Sequence, residues 1–393
     1  MDNPLLQFTF WACIAFIAYP YVVYPLVLAI VTRLGGRPVA AASGRLPSVS
    51  VVLVARNEAA AIGRRVREFA GLIAASGLRG EVIVVSDGST DDTAQAARAA
   101  GGETVRVIDL PTNVGKAAAL SAGCAEASND VLVLADARQT WAPDALVRLL
   151  ENYADPAVGA AGGDLVVEEA PGVMAGVGLY WRFEKWLRRT ESRLHSSVGL
   201  TGAICSVRRE LFPSIPPGTI LDDVYWPLRV VMQGYRVVHD ERARAYDRLP
   251  DRARDEFRRK VRTLSGNFQL IVRLPSLLLP WRNPIWWQFV SHKLTRLLVP
   301  WALLGALGLA ATLGAGEMLY RSLFLIQVAC YLIALAGVIG FGARSRAISA
   351  ASSFLVLNAA AWMAFWVWIS GRSARSWGKV TYNAPVASPP KDA

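Results

Sequence analysis

The sequence predicts an α/β fold in which a doubly wound, mostly parallel, Rossmann-like sheet is inserted between transmembrane α-helices. Short runs rich in valine, isoleucine and leucine alternate with segments of helical spacing, an order typical of parallel sheets with crossover helices. We expect strands at residues 49–54, 81–85, 104–110 and 131–135. Four further stretches carry no charged residue and are long enough to cross a bilayer, namely residues 5–31, 297–316, 322–343 and 347–371.

Three of the four predicted strands end in polar residues suited to a ligand. The first is followed by Arg56-Asn57-Glu58 and then by helical spacing from residue 59 to residue 75. The second is a β-branched run suited to a sheet covered on both faces, and it leads into an acidic, glycine-containing turn. The fourth ends at Asp136. Ligands of open α/β sheets bind at the carboxyl ends of the strands, so these residues predict a site there, although capping of the next helix is the simpler alternative.

The bulk properties indicate an integral membrane protein. A mean hydropathy of +0.32 and a hydrophobic content of 53% exceed those of ordinary soluble enzymes. The first apolar stretch lacks the short core and small-residue cleavage site of a secretory signal, so we expect an anchor. Arg33, Arg37 and Arg45 after it place the following domain on the cytoplasmic side.

The chain divides by composition into six parts. They are an N-terminal transmembrane helix (1–36), a linker (37–48), a cytoplasmic α/β domain (49–268), an interfacial amphipathic segment (269–295), three transmembrane helices (296–371) and a tail (372–393). Within the domain, residues 171–198 predict an amphipathic helix packed on it, or one that admits an amphiphilic acceptor. Counting spans puts the tail outside, whereas Arg372 and the basic residues after it favour the inside. Either a span is re-entrant or the charge rule fails.

The net charge of +11 has no nucleic-acid recognition motif beside it, so we expect anionic membrane lipids as its partners and no nucleic acid. The four cysteines are scattered and predict neither a disulfide framework nor a metal site. The three histidines share no ligand spacing, and we interpret them as structural or surface residues.

Five motifs, in order and spacing, resemble family 2 glycosyltransferases with a GT-A domain, of the membrane-bound cellulose and hyaluronan synthase-like group. The motifs are Val-Ala-Arg-Asn-Glu, Val-Ser-Asp-Gly-Ser-Thr-Asp, Gly-Lys-Ala-Ala-Ala-Leu, Leu-Ala-Asp-Ala-Arg and the pair Asp222-Asp223. Residues 259–263 resemble a divergent form of the (Gln/Arg)-x-x-Arg-Trp motif. Thr263 stands where the family often has an acceptor-stacking Trp, which weighs against a processive polymer synthase.

The resemblance implies a site for a nucleotide-sugar, most simply a UDP-sugar. Its expected residues are Arg56, Asn57, Glu58, Asp87, Gly88, Ser89, Lys116, Asp136, Arg138, Arg259 and Arg262. Asp136 would face the diphosphate and bind Mg²⁺ or Mn²⁺. Arg138 replaces the second acid of the family's Asp-x-Asp motif. Two alternatives therefore stay open: Asp136 holds the metal alone, or Arg138 neutralises the diphosphate directly.

The resemblance also implies that Asp223 is the catalytic base and Asp222 its supporting acid, with helix capping as the alternative role. The leading functional interpretation is an inverting glycosyltransferase of the bacterial inner membrane that transfers sugar to a lipid or glycan acceptor on the cytoplasmic face. Two others are a processive polysaccharide synthase and a catalytically silent, nucleotide-sugar-binding membrane subunit. The donor sugar, the acceptor and the oligomeric state do not follow from the sequence.

Overall fold

The computed structural model describes residues 3–42, 44–167, 174–247, 253–342 and 345–372. Arg344, most of the tail and the start of the segment 171–198 lie outside the described residues. The strands are β1 (Val49–Ala55), β2 (Gly80–Asp87), β3 (Val105–Leu110), β4 (Val131–Asp136), β5 (Thr140–Trp141), β6 (Val158–Val167), β7 (Cys205–Arg208) and β8 (Arg236–Asp247). The α-helices are α1 (Pro4–Ala18), α2 (Tyr24–Gly35), α3 (Ala59–Ala75), α4 (Thr93–Ala100), α5 (Lys116–Ala125), α6 (Ala145–Glu151), α7 (Met174–Leu194), α8 (Asp222–Met232), α9 (Ala253–Arg273), α10 (Trp286–Phe289), α11 (Thr295–Leu313), α12 (Met318–Val338) and α13 (Arg346–Ile369).

The strands form one sheet in the order β3-β2-β1-β4-β7-β6-β8-β5. The four strands expected from the sequence make its parallel half, with β1 between β2 and β4. The other half is mixed, because β7 runs antiparallel to both β4 and β6, and β5 runs antiparallel to β8. The α/β class is therefore confirmed, and the doubly wound parallel order holds for the first half of the domain.

Helices cover both faces of β1, β2 and β4, which is why these strands are apolar on both sides, whereas the edge strand β3 exposes Arg106 and Asp109. Val52 and Ile83 face the layer that contains α5 and α8, whereas Val51 and Val82 face α3. Gly123 lets α5 approach this sheet, because a Cβ there would lie 2.7 Å from Val52 and Val85. The two layers fix the carboxyl ends of β1, β2 and β4 side by side.

Four helical segments are long and apolar enough to cross a membrane: Pro4–Gly35, Trp286–Leu313, Met318–Val338 and Arg346–Ile369. The first contains a π-helical turn at Tyr19–Val23, where Pro20 interrupts the regular helix. The second begins at Trp286, earlier than the boundary expected at 296. The prolines of the predicted interfacial segment all precede Trp286, and the helical segment continues from there to Leu313 through a π-helical turn at Val290–Leu294.

The amphipathic helices α7 and α9 lie between the sheet domain and these apolar helices. On α7, Leu187 packs against Tyr24 and Leu28 of the first helix, in agreement with the packing interpretation of that segment. On α9, the Phe268 ring lies 5.5 Å from Phe365 and 5.6 Å from Trp368, near the end of α13. The start of α13 contacts the end of α12, where Ser352 donates a hydrogen bond to the Ala334 carbonyl.

Candidate active site

The loops after β1 and β2 are joined by hydrogen bonds. Asn57 has a φ of 55° and is the only non-glycine residue among those described with a positive φ. Its side-chain oxygen accepts from the Thr90 backbone N–H at 2.8 Å, and its own N–H donates to the Ser89 hydroxyl at 3.2 Å. The Glu58 N–H donates to the Thr93 hydroxyl at 2.8 Å. The structure therefore brings Asn57, Glu58 and Ser89 together, as expected, while Arg56 beside them is exposed.

Asp87, at the end of β2, is buried and holds the loop before α5. One carboxylate oxygen accepts from the Val114 N–H at 2.7 Å and the other from the Gly115 N–H at 3.1 Å. Gly88 makes this approach possible, because it has a φ of 57° and an added Cβ would lie 2.3 Å from the Asn113 nitrogen. Asp87 and Gly88 thus fix the loop before α5, which borders the expected nucleotide site.

Lys116 is the first residue of α5 and joins the two acidic parts of the site. Its ammonium donates to Asp136 at 2.8 Å and lies 3.7 Å from Asp222. Burial alone would lower the pKa of Lys116, but Asp136 and Asp222 outweigh it, so its pKa is raised and the ammonium stays charged. Burial likewise opposes ionisation of Asp136, but the charge and hydrogen bond of Lys116 outweigh burial and lower the pKa of that carboxyl.

Asp222 and Asp223 occupy the first turn of α8. The residue at the N-cap position is Leu221, which makes no side-chain capping bond. Burial and the adjacent charge of Asp222 raise the pKa of Asp223 to about 6, although Lys116 and Arg188 oppose this. A carboxylate with such a pKa is a better proton acceptor near neutral pH than an ordinary aspartate.

A small cavity lies between these groups. It is lined by Val54, Lys116, Leu120, Leu134, Ala135, Asp136, Gly202, Cys205, Asp222, Asp223 and Trp226. A pair of carboxylates, a further carboxylate and a permanently charged ammonium therefore face one cleft at the carboxyl edge of the sheet. This arrangement suits transfer of a group from a phosphate leaving group to a hydroxyl that must lose its proton.

The guanidinium of Arg138 is turned towards β8. It donates to both oxygens of Asp247, at 3.1 and 2.8 Å, and Asp247 also accepts from Gln139 at 2.9 Å. Of the two alternatives for the diphosphate, this geometry favours the one that relies on Asp136. A direct contact between Arg138 and the diphosphate stays a prediction.

Arg259 and Arg262 lie on α9. Arg259 pairs with Glu256 on the same helix through two bonds of 2.7 and 2.8 Å. Among the described residues, neither arginine belongs to the lining of the cavity. Their part in charge stabilisation therefore also stays a prediction.

Comparison with known proteins agrees with this architecture. Residues 50–215 match the model of the family described as Glycosyl transferase family 2. An N-acetylglucosaminyltransferase of Rhizobium leguminosarum bv. trifolii is 34% identical over 131 residues, which are 31% of this chain and 68% of that protein. The chain belongs to glycosyl transferase family 2.

Two other similar proteins match a larger share of this chain than the N-acetylglucosaminyltransferase does. The poly-beta-1,6-N-acetyl-D-glucosamine synthase of Staphylococcus aureus is 24% identical over 208 residues, 49% of this chain and 48% of the synthase. The family 2 chain thus spans about half the length of that relative. A mannosyltransferase from Pyrobaculum calidifontis, solved in complex with GDP-Man and Mn²⁺, superposes with a TM-score of 0.70 at 21% identity. That likeness covers 93% of this chain and 99% of the mannosyltransferase and confirms the GT-A fold.

The candidate site also depends on residues that the sequence did not reveal. Arg65 on α3 is fully buried, and its Nε donates to the Asp136 backbone carbonyl at 3.1 Å. Its guanidinium lies 4.2 Å from the centre of the Phe69 ring. Arg64 beside it donates to the carbonyls of Arg138 and Gln139 at 3.1 and 3.3 Å. Both arginines look like surface residues of a helix in the sequence, yet they hold the end of β4 that carries Asp136.

The donor set for a metal ion is small. Among the described residues, no three acidic, histidine or cysteine side chains converge as a metal site. Asp136 presents one oxygen to Lys116 and is partly exposed in the cavity. One carboxylate is compatible with a hard cation that takes its remaining ligands from a diphosphate and water.

Proposed function

We propose that the protein is an inverting glycosyltransferase of the bacterial inner membrane. It takes a sugar from a nucleotide-sugar, most simply a UDP-sugar, and transfers it to a lipid or glycan acceptor on the cytoplasmic face. The observation that carries the proposal is the Asp222–Asp223 pair, which opens into the same cavity as Lys116 and Asp136. A base, a leaving-group cation and a diphosphate-side carboxylate are then within one cleft.

The proposed step is a direct displacement. The acceptor oxygen bonds to the anomeric carbon from the face opposite the diphosphate, as the bond from that carbon to the diphosphate oxygen breaks. The acceptor proton passes to Asp223, whose pKa of about 6 suits this task. The nucleoside diphosphate leaves with its negative charge, and the Lys116 ammonium stabilises it.

The donor side uses the preorganised loops. Asp87 and the Asn57 loop position the nucleoside, and Lys116 and Asp136 face the diphosphate. Mg²⁺ or Mn²⁺, held by Asp136 and the donor phosphates, would add further neutralisation of the diphosphate. The Mn²⁺ and GDP-Man of the Pyrobaculum calidifontis mannosyltransferase support a divalent cation and a nucleotide-sugar, and its guanosine donor leaves the choice of base to experiment.

A processive polysaccharide synthase is the second candidate, supported by the similarity to the staphylococcal synthase. Thr263 at the position of the acceptor-stacking Trp favours addition of one or a few sugars instead. A silent binding subunit would not require the paired carboxylates of α8.

The test is transfer and hydrolysis of UDP-N-acetylglucosamine, UDP-glucose and GDP-mannose by the purified protein in lipid nanodiscs, with Mn²⁺, with Mg²⁺ and with EDTA. We expect slow hydrolysis of one donor by the wild type and none by Asp223→Asn. Binding of a donor without hydrolysis or transfer, in the presence of membrane lipid extract, would favour the silent subunit. Product length then separates single addition from processive synthesis.

A further inference from the structure

The ammonium of Lys116 lies on the carboxylate that the proposed function assigns to the metal ion. Its Nζ donates to Oδ1 of Asp136 at 2.8 Å and lies 3.7 Å from Oδ2 of Asp222. All three side chains line the same cavity. One carboxylate is therefore shared between a cation of the chain itself and a divalent cation that would come from solution.

The fold fixes the position of this ammonium. Asp87 holds the backbone before Lys116, because its carboxylate accepts from the N–H groups of Val114 and Gly115. At the other end of the side chain, Gly202 lies so close that an added Cβ would be 3.3 Å from Nζ. Lys116 is thus held both at its backbone and at its tip, and its charge stays at the cavity.

Asp136 is held from the opposite side. Its backbone carbonyl accepts from Nε of Arg65, a fully buried residue, at 3.1 Å. Its carboxylate accepts one hydrogen bond among the described residues, from Lys116 to Oδ1. A divalent cation at the other oxygen, Oδ2, would share the carboxylate with the ammonium. The two positive charges would then be only a few ångströms apart, a distance at which their repulsion is strong in a protein.

The acidic pair of α8 does not by itself make a better site. In the part of the chain that the structure describes, Asp136, Asp222 and Asp223 do not converge as three ligands of one metal ion. Asp222 also faces Lys116, at 3.7 Å, so its charge too is partly neutralised. A hard cation takes several oxygen ligands. Those that Asp136 does not supply must come from the donor phosphates or from water.

A bound diphosphate changes this balance of charge. Its oxygens can coordinate a divalent cation, and its negative charge attracts the ammonium as well. Without a diphosphate, the divalent cation and Lys116 compete for Asp136. With a diphosphate, both positive charges have negative partners. Binding of the cation and binding of the diphosphate should therefore strengthen each other by the same factor.

We propose that Lys116 is an internal counter-cation of Asp136, which keeps a divalent cation weakly bound at this site unless a nucleoside diphosphate is bound with it. The inference rests on the proposed function and names the form of donor that the site takes, a complex of the nucleotide-sugar with a divalent cation. Lys116 then has two roles: it opposes the cation alone, and it binds the diphosphate of the complex. A lysine that only stabilises the leaving group would have the second role alone.

The test is the Kd of Mn²⁺, measured from the electron paramagnetic resonance signal of free Mn²⁺, for the purified full chain in phosphatidylcholine nanodiscs. UDP and GDP are each added, with correction for the Mn²⁺ that the nucleotide binds in solution. The wild type should bind Mn²⁺ at least about tenfold more tightly with one of these nucleotides than without it. Lys116→Met should bind Mn²⁺ alone at least about tenfold more tightly than the wild type, and Lys116→Arg should not. Arg98→Gln, which removes an equal charge from an exposed position on α4, is the matched control and should behave as the wild type.

Unchanged Mn²⁺ affinity in Lys116→Met would overturn the proposal, as would a wild type that binds UDP or GDP but gains no Mn²⁺ affinity from it. The second result requires no substitution, so it decides even if Lys116→Met does not fold. Adding Asp136→Asn to Lys116→Met should abolish the gain, and a gain that survives would assign Mn²⁺ to other carboxylates and contradict the proposal. A wild type that binds neither UDP nor GDP would count against the proposed function. The Mn²⁺ affinities measured without nucleotide then decide whether Lys116 opposes the cation at Asp136.

Discussion

Two aspartates at the same edge of the sheet are held in opposite ways. Asp87 is buried with both carboxylate oxygens on backbone N–H groups of the next loop. Asp223 is next to another carboxylate, and burial and that neighbour raise its pKa to about 6. Two backbone N–H groups hold the first carboxylate in place, whereas burial and a neighbouring carboxylate disfavour the charged form of the second.

The difference separates two tasks. A carboxylate whose two oxygens accept hydrogen bonds from backbone N–H groups fixes a loop, and a fixed loop can position a ligand. A carboxylate that is destabilised by its neighbour is ready to take a proton, which serves a chemical step. Substitutions of these and neighbouring residues test the contrast.

Asp223→Asn should reduce the rate of sugar transfer by about 10²- to 10⁴-fold, because the amide cannot accept the proton of the acceptor. Donor affinity should be retained, since Asp87 and Asp136 are unchanged. The measurements are the transfer rate and the Kd for the donor. A transfer rate near that of the wild type would remove Asp223 from the role of base.

Folding of Asp223→Asn provides its own control. The folded-state pKa of Asp223 is above its unfolded value of 3.8, so its contribution to stability is complete below that value and is lost as pH rises through about 6. The neutral amide of Asp223→Asn does not ionise, so it causes no loss of stability as pH rises. The variant should therefore be at least as stable as the wild type at pH 8, and a lower Tm there would indicate structural damage.

Asp87→Ala should raise the KM for the donor by about 10- to 100-fold and change kcat less, because two charge-assisted hydrogen bonds that position the loop are lost. Asp87→Asn keeps one acceptor oxygen, so its KM for the donor should lie between those of the wild type and Asp87→Ala. Asp109→Ala, an exposed aspartate of β3 paired with Arg98 at 3.6 Å, is the control. A large loss of kcat at unchanged KM would place Asp87 at the chemistry.

The pH profile should separate the two carboxylates of α8. Activity of the wild type should fall as pH decreases through about 6, because the base must be ionised. Asp222→Asn removes the adjacent negative charge, lowers the pKa of Asp223 and should move this acid limb to lower pH. The measurement is the pH profile of kcat/KM for the wild type and for Asp222→Asn. An acid limb at the same pH in both proteins would show that Asp222 does not act on the base.

Arg138→Gln should have the smallest effect. Its side chain is 39% exposed, and its partner Asp247 keeps a bond from Gln139, so the lost pair is worth about 1 kcal/mol or less. The KM for the donor should change less than about fivefold. An increase beyond tenfold would mean that the guanidinium leaves Asp247 and reaches the diphosphate.

The parallel half of the sheet was predictable mainly because β1, β2 and β4 are covered on both faces and carry a nearly continuous apolar signal. The mixed half was not, since β6 is rich in alanine and glycine and pairs with β8, 78 residues later at its first pair, Val158 and Arg236. Partners so far apart leave no periodic signal. The antiparallel direction of β7 depends on those pairings as well.

In the candidate site, too, contacts between residues far apart in the sequence could not be predicted. Polar residues at strand ends were visible in the sequence, and the family resemblance identified the Asp222–Asp223 pair. The backbone partners of Asp87 were not visible, because a backbone N–H carries no side-chain signature. His292 could be read only as structural or surface, because its partner Glu184 is 108 residues away in the chain.

The aromatic contact between α9 and α13 has a consequence for how the last apolar helix is held. Near its start, Ser352 donates a hydrogen bond to the Ala334 carbonyl close to the end of α12, and near its end Trp368 stacks on Phe268 of α9. Because α13 is tied to α12 at one end and to the domain helix α9 at the other, it couples the apolar helices mechanically to the domain that carries the candidate active site.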